Sequence, residues 1–288
     1  MFIVSLIARP GGLEPALVSA LRNATGGGDV TWLSQGEAAE FPVGVAPSNL
    51  EGLGASVADQ ADLNLLPAEG RRKKMLLADM DSTMIQQECI DELAEEAGVG
   101  AQVKDITARA MNGELDFEGA LTERVALLRD LPEGVIDKVL ETRITLMPGG
   151  PALVATMKAN GAYAALVSGG FTAFTTRVAA MVGFDENRAN TLLTDAGRLS
   201  GEVGRPILGR EAKVQALEEI SARLGISEAD VLAVGDGAND LGMLTRAGMG
   251  VALHAKPSVQ AQCDLRVNHG DLTALLYLQG YARSEFSG

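Results

Sequence analysis

Three apolar runs that end in reactive side chains constrain this sequence more than any other feature. "MLLAD" (75–79), "YAALVSGG" (163–170) and "VLAVGD" (231–236) are short and stay apolar until their last positions. Strands read this way when helices cover both of their faces, as in a parallel α/β sheet. Open α/β sheets bind ligands beyond the carboxyl ends of their strands. All three runs end there in acidic, hydroxyl or glycine residues, so one shared site is expected.

The sequence upstream reads differently. "FIVSLIA" is a strand, and "LEPALVSALRNA" is a helix with Leu13, Ala16, Leu17, Ala20 and Leu21 on one stripe. "GGGDVTW" turns into a second strand, and "FPVGV" reads as a third, "NLEGLGASVADQA" as a helix and "DLNLLP" as a last strand. The order βαββαβ is that of a ferredoxin-like α+β unit over residues 1–70. The polar "AEGRRKK" then reads as a linker. Between the first two apolar runs there is no strand signal. "MIQQECIDELAEEAG", "GAQVKDITARAMNG", "DFEGALTERVALLRDLP" and "EGVIDKVLETR" read as four helices. They form a helical insert, a lid candidate over residues 86–145, in a parallel-sheet core of residues 75–85 and 146–288. "TLLTDAGRLSGEV" reads as a hairpin turning at Asp-Ala-Gly.

Composition narrows the function classes. With 288 residues, 47% of them hydrophobic and 22% charged, a substantial core forms. The net charge of −14 repels phosphate backbones, which argues against nucleic acid and for a small-molecule ligand. The two cysteines, Cys89 and Cys263, are no disulfide framework and fit a reducing cytoplasm as small core hydrophobes. No apolar run approaches the roughly 20 residues that span a bilayer. "MFIVSLIARPGG" lacks a basic leader and reads as a strand with a stop. The sequence does not fix the oligomeric state and leaves a homodimer open.

Asp79 and Asp81 lie two apart at a strand end, so in extended backbone both face the same way. Asp236 and Asp240 close the third run in "GDGAND". Taken singly, Asp240 reads as a helix N-cap and Asp236 as a turn residue. Together, four acids at one site repel one another unless a divalent cation is present, and hard oxygen ligands favour Mg²⁺. A metal with two acids of unequal role suits phosphoryl transfer to a carboxylate. One aspartate attacks phosphorus, and the other protonates the leaving alkoxide and later deprotonates water.

"DMDST", "VSGG", a downstream lysine and "GDGAND" resemble the four ordered motifs of the haloacid-dehalogenase-like phosphatases. "DSTMIQQECIDELAEEAG", "NGELDFEGALTERVALLRDLP" and "LAVGDGANDLGML" are similar to the phosphoserine phosphatase family within them, over roughly residues 75–285. The resemblance implies a Rossmann-like α/β core with an inserted helical cap. It implies an Mg²⁺-dependent enzyme that converts phosphoserine to serine in the cytoplasm. The first 70 residues loosely resemble the ACT-like extension of longer bacterial members. By this resemblance Asp79 is the nucleophile and Asp81 the acid/base. The metal ligands are Asp79, the Asp81 carbonyl and Asp236, with Asp240 supporting them.

Other residues stand out by position. Arg124 lies amid the apolar stripe of Phe117, Ala120, Leu121 and Leu128, where a guanidinium needs an anion. A structural ion pair with a glutamate is the plain reading; the resemblance makes Arg124 the holder of the substrate carboxylate. Lys213 shares a stripe with Leu217, Ile220 and Leu224. It reads either as a snorkelling lysine or, by resemblance, as a contact to phosphate and nucleophile. Ser168 and Gly169 precede a helix and read as a strand-to-helix turn or a phosphate cradle. Glu88 reads as solvated; the resemblance pairs it with the substrate ammonium. The resemblance also places Met111 and Phe117 along the pocket, Asn239 near substrate and water, and Thr83 beside the nucleophile. His254 and His269 read as structural or surface residues. Competing functions are a phosphatase or phosphotransferase for another small phosphomonoester, a receiver module and an amino-acid sensor. A receiver needs neither the second acid of "DMD" nor a large cap, and intact motifs argue against a catalytically silent sensor.

Overall fold

The first strand, β1 (Phe2–Ile7), sends both of its faces into packing. Val4 and Leu6 join one apolar cluster, while Ser5 and Ile7, pointing the other way, are buried as well. In this computed structural model, which describes every residue but Gly113 and leaves the Met111 side chain undescribed, β1 is central to a four-stranded sheet. It is followed by α1 (Pro15–Thr25), β2 (Thr31–Ser34), β3 (Ala38–Val43), α2 (Leu50–Val57) and β4 (Asp62–Pro67). The sheet is antiparallel, in the order β2-β3-β1-β4.

The expected order βαββαβ is present, but the third strand lies off its expected position. The glycines of "GGGDVTW" turn the chain: Gly26 takes φ 65° and its N–H closes α1. Strand β2 therefore starts at Thr31, and β3 starts at Ala38, ahead of "FPVGV".

From Met75 the chain runs through β5 (Met75–Ala78), α3 (Cys89–Glu96), α4 (Gly100–Met111), α5 (Phe117–Ala126), α6 (Val135–Thr142), α7 (Gly150–Ala159), β6 (Tyr163–Phe171) and α8 (Thr172–Val182). It continues through β7 (Glu186–Asn190), β8 (Leu192–Asp195), β9 (Arg198–Val203), α9 (Arg210–Leu224), β10 (Val231–Gly235), α10 (Leu241–Arg246), β11 (Met249–Leu253), α11 (Pro257–Gln260), β12 (Leu265–Val267) and α12 (Ala274–Leu278). A six-stranded sheet has the order β12-β11-β10-β5-β6-β7, with parallel pairing at β10–β11, β11–β12 and β6–β7. The three apolar runs are its strands β5, β6 and β10.

The chain forms two compact units. One comprises Met1–Leu77, Pro148–Ala164 and Leu217–Gly288; the other comprises Ala78–Met147 and Ala165–Ala216. In the first, the N-terminal sheet is bonded to β12 and the loop after it. Asn64 accepts from Arg266 N–H at 2.9 Å and donates to Arg266 O at 3.0 Å. Asp62 accepts the N–H groups of Asn268 and His269 at 2.8 and 2.9 Å. The buried helix α12 packs on β1, and Tyr277 donates to Glu37 at 2.9 Å.

In the second unit the helices α3 to α6 form the cap. Cys89, Leu93, Val103, Leu121, Val125 and Val139 are among its buried side chains. Arg143 ties α6 to α3 through Glu92 and Glu96. The β8–β9 hairpin turns at Ala196-Gly197, both at positive φ, within the expected Asp-Ala-Gly. It receives the chain after α5 through Asp130 N–H to Leu199 O, at 2.9 Å.

Candidate active site

Strand β5 ends at Ala78, and the chain turns at once. Ser82 adopts φ 53°, a left-handed conformation that costs a non-glycine residue roughly 1–2 kcal/mol. The turn is held by Thr83 N–H and Met84 N–H on Met80 O, and by Ser82 N–H on Gln87 O. Met84 to Gln87, expected to open the first cap helix, stays out of it. Ile85 bridges to Leu146, and Gln86 N–H bonds Thr145 O at 3.0 Å. Helix α3 thus starts at Cys89, and Ile85 lies outside it.

This start has a consequence for Asp81. The first N–H groups of a helix lack partners within it. That of Cys89 donates to Asp81 Oδ1 at 2.9 Å, and the Ser168 hydroxyl donates to Asp81 Oδ2 at 3.1 Å. Burial pushes the Asp81 carboxyl up; these bonds and the Lys213 charge oppose the shift. Burial and the neighbouring Asp81 charge push the Cys89 thiol well up. Sequence reading missed Cys89 as anything but core filler. The signal was its place directly after "QQE", at a helix start.

Asp79 is in a different environment two residues away. Lys213 Nζ lies 2.7 Å from Asp79 Oδ1, and both residues are buried. The same oxygen accepts Met80 N–H at 2.8 Å. Lys213 stands in the first half of α9 beside the buried Ala216, so its place on an apolar stripe carries it into the interior. Leu224, assigned to that stripe, is exposed where the helix ends.

Ser168 lies in β6, which does not break at the glycines but runs on to Phe171 with an irregular register against β7. Its hydroxyl also accepts Gly170 N–H at 2.9 Å, closing a turn around Gly169. Thr83 is fully buried in the turn after the two aspartates. Glu88 is the exposed N-cap of α3 and accepts from Ser82 Oγ at 2.6 Å. Phe117 opens α5 after Asp116, whose carboxylate caps Gly119 N–H at 2.8 Å. The Met111 side chain lies outside the described residues.

Arg124 is half-buried between the buried Leu121 and Val125. Its Nε donates to Ala120 O at 3.2 Å. Burial lowers its pKa, while the charges of Asp91, Glu88 and Asp81 raise it. The expected structural ion pair with a glutamate is not formed: no acid among the described residues comes within ion-pair distance of this guanidinium. Asp91, which sequence reading passed over, is the acid with the largest influence on it, and burial raises the Asp91 pKa.

In the first unit, Asp236 follows β10 and is half-buried, as is Asn239. Asp240 is fully buried at the start of α10. Its side chain does not cap that helix but turns back to accept Gly237 N–H at 3.0 Å. A methyl group on Gly235 would stand 2.4 Å from the Asp240 carboxyl carbon, so only glycine permits this fold-back. Asp236 and Asp240, like Asp79 of the other unit, are hard oxygen donors suited to a hard divalent cation.

Known proteins place the chain. Residues 76–245 match the model of the haloacid dehalogenase-like hydrolases. A probable phosphoserine phosphatase of Schizosaccharomyces pombe is 42% identical over 229 residues, 78% of this chain and 76% of that protein. A phosphoserine phosphatase of Vibrio cholerae is 44% identical over 198 residues, 69% of this chain; the match spans only 60% of that longer protein. A crystal structure of a hydrolase of the same family from Salmonella enterica serovar Typhi superimposes with a TM-score of 0.86 at 30% identity, covering 96% of this chain and 97% of that one. The chain therefore belongs to the haloacid dehalogenase-like hydrolases and, within them, to the phosphoserine phosphatase family.

Proposed function

We propose that the chain hydrolyses O-phospho-L-serine to L-serine and phosphate, the reaction that completes serine biosynthesis, through an aspartyl-phosphate on Asp79. One observation carries the substrate choice: a half-buried guanidinium, Arg124, that no acid among the described residues pairs, in the electrostatic company of Asp81, Glu88 and Asp91. A planar fork of this kind matches a carboxylate. Glu88 supplies the complementary charge for an ammonium.

Asp79 attacks phosphorus, and the bond to the serine oxygen breaks. Asp81, pushed up by burial, donates its proton to the leaving alkoxide. Asp81 then takes a proton from the water that attacks the acyl phosphate, and phosphate leaves with Asp79 restored. Lys213, 2.7 Å from Asp79, offsets the negative charge gathered around phosphorus. Ser168 and the Gly169 backbone hold phosphoryl oxygens, Thr83 lies beside the nucleophile, and Met111, Phe117 and Asn239 position the substrate. Asp79, the Asp81 carbonyl and Asp236 would hold Mg²⁺, with Asp240 supporting them; the bound ion supplies charge neutralisation at the phosphoryl oxygens. The cytoplasm is the proposed compartment, in keeping with two free cysteines, both buried. No helix among the described residues is long and apolar enough to cross a membrane.

The test is phosphate release from a panel of small phosphomonoesters, with and without Mg²⁺. Phosphoserine should lead the panel in kcat/KM; a preference for an ester without an amino-acid head would overturn the assignment.

A further inference from the structure

Asn190 ends β7 and has been given no role above, yet it is 2% exposed and fully bonded. Its Nδ2 donates to Gly169 O at 2.9 Å and to Leu208 O at 3.1 Å. Its Oδ1 accepts Leu208 N–H at 2.7 Å. One amide thus uses both hydrogens and its oxygen on two separate backbone segments. The first segment is the turn of Ser168 and Gly169. The second leads directly into α9, which carries Lys213.

Phe117 of the cap meets the same two segments. A methyl group on Gly169 would stand 3.2 Å from its Cζ, and one on Gly209 would stand 3.3 Å from its Cδ1. The ring therefore rests on two bare glycine backbones, which Asn190 holds at fixed separation. Burying a side-chain amide costs stability unless it is fully bonded. A backbone-only link or an apolar side chain would fill the space, but neither could fix two carbonyls and one N–H at once.

We propose that Asn190 is a positioning residue of the phosphate grip. Its amide staples the Ser168–Gly169 turn to the segment before α9, and so sets the spacing between the Ser168 hydroxyl and the Lys213 ammonium. This rests on the proposed phosphatase reading, in which those two groups hold the phosphoryl moiety. Asn190 touches no reacting atom. Its effect falls on the phosphate half of any substrate, whatever alcohol that phosphate esterifies.

Asn190→Asp keeps the shape and the bond from Leu208 N–H but removes both donors and sets a carboxylate against two carbonyl oxygens. Asn190→Ser keeps a neutral polar group too short to span both segments, and it provides the readout if the aspartate variant folds poorly. Both are measured as full chains for inhibition by inorganic phosphate, for kcat/KM on phosphoserine and p-nitrophenyl phosphate, and for Tm. The inhibition constant for phosphate should rise about tenfold, the scale of one or two lost hydrogen bonds, with parallel losses on both esters. A lowered Tm with an unchanged phosphate constant would show a purely structural residue and overturn the inference. So would a loss confined to phosphoserine. Calorimetric binding of inorganic phosphate to wild type and variants separates this result from the phosphatase reading. If neither ester is turned over by wild type, that reading fails, while phosphate affinity still reports on the staple.

Discussion

Replacing Arg124 by alanine tests the substrate assignment most directly. A guanidinium and a carboxylate about 4 Å apart attract by about 4 kcal/mol at an effective dielectric constant near 20. Desolvation of both ions offsets part of this, and truncating one member of a buried pair typically costs about 2–5 kcal/mol. Arg124 is half-buried, and its Nε already bonds Ala120 O, so the low end applies. A loss of about 2–3 kcal/mol corresponds to a fall of about 30- to 150-fold in kcat/KM for phosphoserine. Arg124→Lys keeps the charge without the fork and should recover only part of that. p-Nitrophenyl phosphate has no amino-acid head, so its kcat/KM should change within about threefold in both variants. The measurement is the ratio of the two kcat/KM values, with Tm recorded alongside. Equal losses on both esters would refute the reasoning, because Arg124 would then serve the fold or the phosphate.

Asp79→Asn keeps shape but removes the attacking charge, so turnover should be lost with folding retained; a phosphoenzyme still trapped at wild-type level, with deamidation excluded by mass spectrometry, would sink the nucleophile assignment. Chelation of divalent metal should abolish phosphate release and Mg²⁺ should restore it, whereas activity unaffected by exhaustive chelation contradicts the role given to Asp79 and Asp236. Asp62 has a folded pKa raised above its ordinary value, chiefly by burial, so the native chain holds its proton to higher pH than the unfolded one. Its contribution to stability therefore falls as pH rises from about 4 through the raised value, and Asp62→Asn should flatten that part of a Tm-against-pH curve; an unchanged slope counts against it. A chain starting at Glu69 loses the Asn64 and Asp62 bonds to the β12 region and the Arg71–Glu40 pair, so it should melt lower while keeping phosphatase chemistry; folded protein without activity would show that the first residues complete the site.

What the sequence discloses about this fold is carried by local pattern. The runs ending at Asp79, Ser168 to Gly170 and Asp236 are strands β5, β6 and β10 because continuous apolar character leaves a buried strand few alternatives. Arg124 and Lys213 were visible as charges on apolar faces, and one is half-buried and the other fully buried. The misses share a physical cause: hydrogen bonds between segments distant in sequence. Met84 to Gln87 has helical composition, yet its pairing with Thr145 and Leu146 keeps it out of the helix. Asn190 ends an ordinary-looking strand, and its three partners sit 18 and 21 residues away. No periodicity marks such a residue.

The two aspartates show how one strand end supports two roles. Spacing alone says only that Asp79 and Asp81 leave neighbouring positions on one side of an extended chain. The strand, however, stops at Ala78, and Ser82 bends the backbone into a left-handed turn immediately after the pair. Asp79 is held against an ammonium and its neighbour's N–H. Asp81 also receives an N–H and a hydroxyl, yet burial dominates and pushes its carboxyl up. Identical side chains thereby meet unequal surroundings, as a nucleophile and a proton carrier require. The inequality comes from groups the strand itself does not contain: the start of α3, the Ser168 turn and the buried lysine of α9. Moving the start of α3 back to Met84, as its composition suggests, would withdraw the Cys89 N–H from Asp81, so the irregular stretch before that helix belongs to the chemistry as much as the aspartates do.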